Sequence, residues 1–260
     1  MTFVDELFGL RGKVAIVIGG GGVLGGAMAE GLAKAGSKVA VLSRTKEKAE
    51  KRATVIINET GGQALAIQID ATRKLDLQNA RDRILSQWGR VDIIVNAAGI
   101  NSDTPFFEIT EEEWGNILDV NLKSIFLSCR IFGETLIKQG EGGSIINISS
   151  ASSGSPLSKV FTYGISKAGV NNLTQFLARE WAPHRIRVNA IAPGFFPTEQ
   201  NRKILTKKRI SDIMRHTPMG RFGESEELVG VTLWLASEKA SSFVTGAIIR
   251  VDGGFTAMTI

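Results

Sequence analysis

The chain has 260 residues, of which 43% are hydrophobic and 22% charged, the balance of a soluble globular protein with a large core. Its net charge is +5, but outside one segment the basic residues are scattered and not interleaved with aromatics, which argues against a nucleic-acid partner. No apolar run reaches the roughly 18 residues of a membrane span, and a single cysteine, Cys129, excludes an internal disulfide and a cysteine-based metal cluster.

The opening stretch MTFVDELFGLRGK carries acids early and lacks an apolar signal core, so a cytoplasmic location is the expectation. Lys13–Gly19 (KVAIVIG) is too short and too uniformly apolar for a helix and reads as a strand buried on both faces. A glycine turn follows, then a helix over Val23–Gly36. Lys38–Ser43 is a second strand, and Thr45–Thr60 a helix stopped by Gly61-Gly62. Gln63–Ile69 is a third strand, and Leu75–Trp88 a helix stopped by Gly89. Val91–Val95 is the fourth strand, running into Asn96-Ala97-Ala98-Gly99. Thr110 with Glu113 forms a capping box that opens one long helix to about Lys138.

Gly143–Ser149 is the fifth strand, and a helix over about Thr162–Trp181 comes next. Ile186–Ile191 is the sixth strand. Residues Pro193 to Gly223 are irregular, Glu224–Ala236 is a helix, and Ala247–Val251 the last strand before Asp252-Gly253-Gly254. Strict alternation predicts an α/β fold: a single doubly wound, Rossmann-type parallel sheet of about seven strands with helices on both faces. No composition break divides the chain, so residues 1–260 read as one domain. The long connection at about 194–222 reads as a lid.

Chemistry concentrates in two places. Gly19, Gly21, Gly22 and Gly25, with Val23 and Leu24, lie where a first strand turns into a first helix. Glycines there let backbone N–H groups approach a pyrophosphate, and the helix N-terminus adds donors and a favourable dipole. At the end of the second strand stand Ser43 and Arg44. An acid would hold the ribose 2′-hydroxyl of NAD, whereas an arginine suits a 2′-phosphate, so NADP(H) is favoured over NAD(H).

The second place is Ser150 to Lys167. Tyr163 is the only tyrosine; Lys167 follows it by one helical turn and Ser150 precedes it from the end of the fifth strand. A phenol of ordinary pKa about 10 is a poor proton carrier at neutral pH, and a fixed cation beside it is expected to lower that value. A serine hydroxyl could then hold a substrate oxygen while the phenol moves its proton.

With these motifs on the page, the chain resembles the short-chain dehydrogenase/reductase family over essentially its whole length. The residues carrying the resemblance are the glycine turn, Asp70, Asn96 to Gly99, Asn121, Ser150, Tyr163, Lys167, Pro193-Gly194 with Thr198, and Thr245-Gly246 to Asp252-Gly253-Gly254. The resemblance implies that Asp70 and Ala71 contact adenine and that Asn96, Ala97, Ala98 and Gly99 line the adenosine side. It further implies that Asn121 holds a water in a proton relay, that Lys167 contacts the nicotinamide ribose, and that Pro193, Gly194 and Thr198 touch the cofactor. It also implies a homotetramer, with the helices around Glu111–Lys138 and Thr162–Trp181 between subunits. Ile125, Leu127, Leu173 and Phe176 are their surplus apolar residues. Two positions depart from the family pattern, Ile18 where threonine is usual and Val23 where glycine is usual, with Gly22 standing one place early.

GGGGVLG and PGFFPTEQN resemble the sugar-acid branch, which contains mannonate and fructuronate oxidoreductases. The segment Thr198–Arg221 carries Arg202, Lys203, Lys207, Lys208, Arg209, Arg215 and Arg221 against two acids, a local charge of +5, while the remainder balances near zero. A cationic lid over the strand ends would attract an anionic small-molecule substrate. Arg202 and Lys203, with Phe195 and Phe196, are the substrate-contact candidates, whereas Lys207 to Arg209 read as solvated surface. His184 and His216 show no metal-ligand spacing. The leading reading is an NADP-linked oxidoreductase of a small polar substrate such as fructuronate, mannonate or a keto-gluconate. A 3-oxoacyl carrier-protein reductase and a non-catalytic NADP-binding sensor or scaffold are the alternatives.

Overall fold

A computed structural model describes residues 2–197 and 205–258. Seven strands, Val14–Ile18 (β1), Lys38–Ser43 (β2), Ala64–Gln68 (β3), Ile93–Asn96 (β4), Gly143–Ile148 (β5), Ile186–Pro193 (β6) and Ile248–Val251 (β7), form one parallel sheet in the order β3-β2-β1-β4-β5-β6-β7. Side chains alternate across it. Val14, Ile16 and Ile18 of β1 enter one core layer and Ala15 and Val17 the other. The first layer is closed by Lys74–Trp88 (α4), Ser124–Gln139 (α6) and Phe161–Trp181 (α7), the second by Val23–Lys34 (α2) and Lys46–Thr60 (α3). Glu227–Ala236 (α9) completes the second layer. Helices on both faces are what strands with two apolar faces require.

The glycine stops act as expected: Gly61 and Gly89 end α3 and α4 in the left-handed region, at φ +63° and +74°. Four local features differ from the sequence reading. A six-residue helix, Phe3–Phe8 (α1), opens the described chain on a capping box between Thr2 and Asp5. The expected long helix is Glu111–Leu118 (α5), a π turn at Asp119–Lys123, and α6. Thr110 accepts from the Glu113 amide at 3.1 Å, but the Glu113 carboxylate does not return to the cap: it takes the hydroxyls of Ser102 and Thr104 and so pins the loop after β4. Finally, the stretch expected to be irregular contains a helix, Lys207–His216 (α8), capped by Thr206.

Of the four apolar residues singled out on α6 and α7, Ile125 and Leu127 belong to the core and Leu173 packs against it. Phe176 is 61% exposed, alongside exposed Phe126 and Phe161. No helix among the described residues is long and apolar enough to cross a membrane.

Candidate active site

The strand order reverses between β1 and β4, and the loops leaving these two strands open the crevice where such sheets take ligands. The two loops touch. A Cβ on Gly19, whose φ is +85°, would stand 2.7 Å from the backbone of Ala97 and Ala98, and one on Gly25 would stand 2.4 Å from the Gly19 carbonyl oxygen. Only glycine fits either position. Gly22 is the N-cap of α2 and offers no side chain to its first-turn amides, and Val23 is the first helical residue. Gly22 opens the helix one position early, and Ile18 is a buried β1 residue. A bare helix start above a side-chain-free turn fits a pyrophosphate.

Along the same edge, Gly21 packs on the Ser43 side chain, where an added Cβ would be 2.8 Å from Oγ. Arg44 is exposed just beyond β2, and Gln68 holds its carbonyl at 3.1 Å. Asp70 follows β3, with Ala71 half-buried next to it. The Asp70 carboxylate takes the Thr72 hydroxyl and amide, at 2.7 and 2.9 Å, and these bonds with Arg44 and Arg73 nearby hold it below the usual carboxylate range. Its side chain therefore shapes its own loop.

Ser150 leaves the end of β5 and caps a short 3₁₀ turn, Ala151–Ser153; its hydroxyl accepts from the Ser152 amide and hydroxyl at 3.2 and 3.0 Å. Tyr163, in the first turn of α7, lines the same cleft as Ser150, whose hydroxyl pulls on the phenol. Lys167, one turn on, is 2% exposed; its Nζ donates to the Ile148 carbonyl at 2.7 Å and lies 5.6 Å from the Tyr163 ring centroid. The structure thus brings Ser150, Tyr163 and Lys167 together. It does not show the depressed phenol expected from the sequence. Burial pushes the Tyr163 phenol above its ordinary value, against the pull of Ser150, and pulls Lys167 down to about 8. Both groups lose water on folding, and desolvation penalises each charged form more than their proximity repays.

Asn121 lies on the π turn and is fully buried. Its Oδ1 accepts the Ile100 amide at 2.8 Å, while Nδ2 donates to the Ile100 carbonyl and the Ser166 hydroxyl at 2.9 and 3.0 Å. The side chain expected to hold a water is thus committed to the β4 loop and α7. Asn96 points into the core instead of the crevice: its Nδ2 donates to Asn147 at 2.8 Å, and Asn147 in turn to Thr174 at 2.9 Å. What the crevice receives from this stretch is backbone and Gly99, whose missing Cβ would sit 3.6 Å from Lys167 Nζ.

Pro193 ends β6, and Gly194 passes so close to the last turn that a Cβ would reach 2.7 Å from Asp252 Cα. A cleft of about 70 Å³ opens over Ser150 and Tyr163. Phe195, Phe196, Val160 and Phe222 supply apolar walls, and Asn101 and Arg209 polar ones. Phe196 is mainly a core residue, 5% exposed, while Phe195 stacks edge-on against Phe255. Thr198, Arg202 and Lys203 lie outside the described residues. Arg209, read from the sequence as solvated surface, is, among the described residues of the cationic segment, the cation that lines this cleft. The signal that could have found it is its position in the first turn of a helix capped by Thr206. Cys129 is buried in α6, and burial pushes its thiol up to about 12, which makes it inert.

A family model described as enoyl-(acyl carrier protein) reductase matches residues 22–256. An uncharacterized oxidoreductase UxuB of Bacillus subtilis is 41% identical, covering 95% of this chain and 96% of its own. The 2-dehydro-3-deoxy-D-gluconate 5-dehydrogenase of Escherichia coli is 37% identical, covering 96% and 98%. Among solved structures, a gluconate 5-dehydrogenase from Burkholderia cenocepacia in complex with NADP and tartrate is 33% identical. It superimposes with a TM-score of 0.93 over 98% of this chain and 100% of its own. By its glycine crevice, its Ser150–Tyr163–Lys167 cluster with a buried ammonium and these full-length matches, the chain belongs to the short-chain dehydrogenase/reductase family and is an NAD(P)-dependent oxidoreductase acting on CH–OH groups.

Proposed function

We infer that this oxidoreductase interconverts a secondary alcohol and a ketone on a sugar acid, with NADP(H) favoured over NAD(H). The observation that carries the reaction is the Tyr163 phenol and the Ser150 hydroxyl lining one cleft, with the buried Lys167 ammonium 5.6 Å from the phenol ring centroid. The nicotinamide cofactor supplies or accepts the hydride. The chain supplies the rest. The first-turn amides of α2 hold the pyrophosphate, Ser150 positions the substrate oxygen, and the Tyr163 hydroxyl gives that oxygen a proton or takes one from it. Lys167 places positive charge behind the phenol, and the space beside Gly99 admits a ribose to its ammonium. Asn121 fixes the β4 loop against α7 and so the distance between cofactor floor and Tyr163. Residues 194–222 act as the lid of a single catalytic domain.

The sugar-acid reading draws support from the relatives named for gluconate derivatives and from Arg209, a cation that lines the cleft. Arg44 is the residue read as favouring NADP. The exposed Phe126, Phe161 and Phe176 support assembly as a homotetramer. The apolar cleft walls favour one second reading, reduction of a 3-oxoacyl group on an acidic carrier protein. Tyr163→Phe tests the mechanism. Fold and cofactor binding are kept, while turnover of D-gluconate, D-mannonate or 2-dehydro-3-deoxy-D-gluconate falls about 10²- to 10⁴-fold. Undiminished kcat would overturn the assignment, and turnover of acyl thioesters alone would select the second reading.

A further inference from the structure

The structure assigns Arg209 as the residue that anchors the substrate's carboxylate, an inference that rests on the sugar-acid reading and names its specificity determinant. Four observations converge on it. Arg209 lines the same cleft as Ser150 and Tyr163. It is half-buried, and among the described residues it pairs with no carboxylate. The acid nearest in sequence, Asp212, is already taken: Lys208 holds one of its oxygens at 2.9 Å and Arg215 the other at 3.1 Å. Arg221 is likewise engaged, by Glu227 at 2.6 Å.

Arg209 is also held in place. One of its terminal nitrogens donates to the Ser158 carbonyl at 3.0 Å, and the other lies 3.5 Å from the Ser158 hydroxyl. This tether ties the first turn of α8 to the loop between Ser150 and Tyr163. A guanidinium has five N–H donors, and a carbonyl uses one, so most of the fork stays available for an incoming anion. Across the cleft, Asn101 presents its side-chain amide, with its Oδ1 occupied by the Ser102 N–H at 2.8 Å. Its Nδ2 donors remain for a substrate hydroxyl.

The experiment compares D-gluconate, D-mannonate and 2-dehydro-3-deoxy-D-gluconate, each with its neutral amide, for wild type, Arg209→Ala and Arg209→Lys. In the wild type the acid is expected to have the lower KM. Arg209→Ala raises KM for the acid about 10- to 100-fold and leaves the amide nearly unchanged, so the preference for the anion disappears. Arg209→Lys recovers part of it, because the charge remains and the fork is lost. A wild type that prefers the acid and an Arg209→Ala variant that keeps this preference would overturn the assignment while leaving the sugar-acid reading standing. A wild type that treats acid and amide alike would overturn both. Equal losses for acid and amide in Arg209→Ala would show that Arg209 only ties α8 to the Ser158 loop, and would also refute the proposal.

Discussion

Lys167 is a buried ammonium that the fold carries at a cost, and that cost can be read from the structure. Burial brings its pKa from 10.5 to about 8. At about 1.4 kcal/mol per unit, the charged form is roughly 3 kcal/mol worse in the folded chain than in the unfolded one at neutral pH. Against this stands one charge-assisted hydrogen bond to the Ile148 carbonyl at 2.7 Å, worth about 1.5–3 kcal/mol. Lys167→Met removes both at once and leaves an apolar side chain of similar length. Its unfolding free energy at pH 7, from urea titration, is expected within about 1.5 kcal/mol of wild type, although catalysis is lost. The pH dependence is the sharper readout. Between pH 8 and 10.5 the unfolded lysine holds more proton than the folded one, so this group makes wild-type stability rise with pH through that window. The variant should lack that rise. Destabilisation by more than about 3 kcal/mol at pH 7, or the same pH slope in both proteins, would refute the reasoning.

Arg44→Ala should weaken NADPH by roughly tenfold or more and NADH little, because only the former carries the extra phosphate; fluorescence titration with both cofactors checks this, and equal losses would exclude Arg44 as the discriminating residue. For assembly, light scattering at micromolar concentration should give four times the mass of one chain. Phe176→Asp, at a side chain 61% exposed, should lower that mass without unfolding the protein, and a monomeric wild type would dismiss the proposal.

The sheet was legible because each strand is a short apolar run bounded by glycine or a polar turn, and periodicity alone separates such runs from the charged-faced helices. Tyr163 and Lys167 were legible because four residues make one helical turn, whatever the surroundings. Burial was not legible. The same spacing that placed an ammonium beside a phenol gave no sign of how far burial would weigh on either, and this is what reverses the expected direction at Tyr163. Asn96 and Asn121 were found as motif residues, yet their side chains serve contacts with residues 21, 45 and 51 positions away. No local pattern encodes such partners. Arg209 was passed over for the same reason: in sequence it is the third of three consecutive cations, and only the packing of α8 turns it toward the cleft while Lys208 faces Asp212.

The π turn at Asp119–Lys123 makes chain length, rather than residue type, the constraint on this part of the molecule. Each residue of an α-helix advances the direction of the next side chain by about 100°, and a turn wound with one residue more slips that phase. Before the slip, α5 leaves Trp114 partly in solvent; after it, α6 sends Ile125, Cys129, Phe132 and Leu136 into the sheet. A one-residue deletion just after the turn, with the π winding kept, would barely alter composition or charge, yet it would rotate α6 by about 100° about its own axis and bring Phe126 toward the core in place of Ile125.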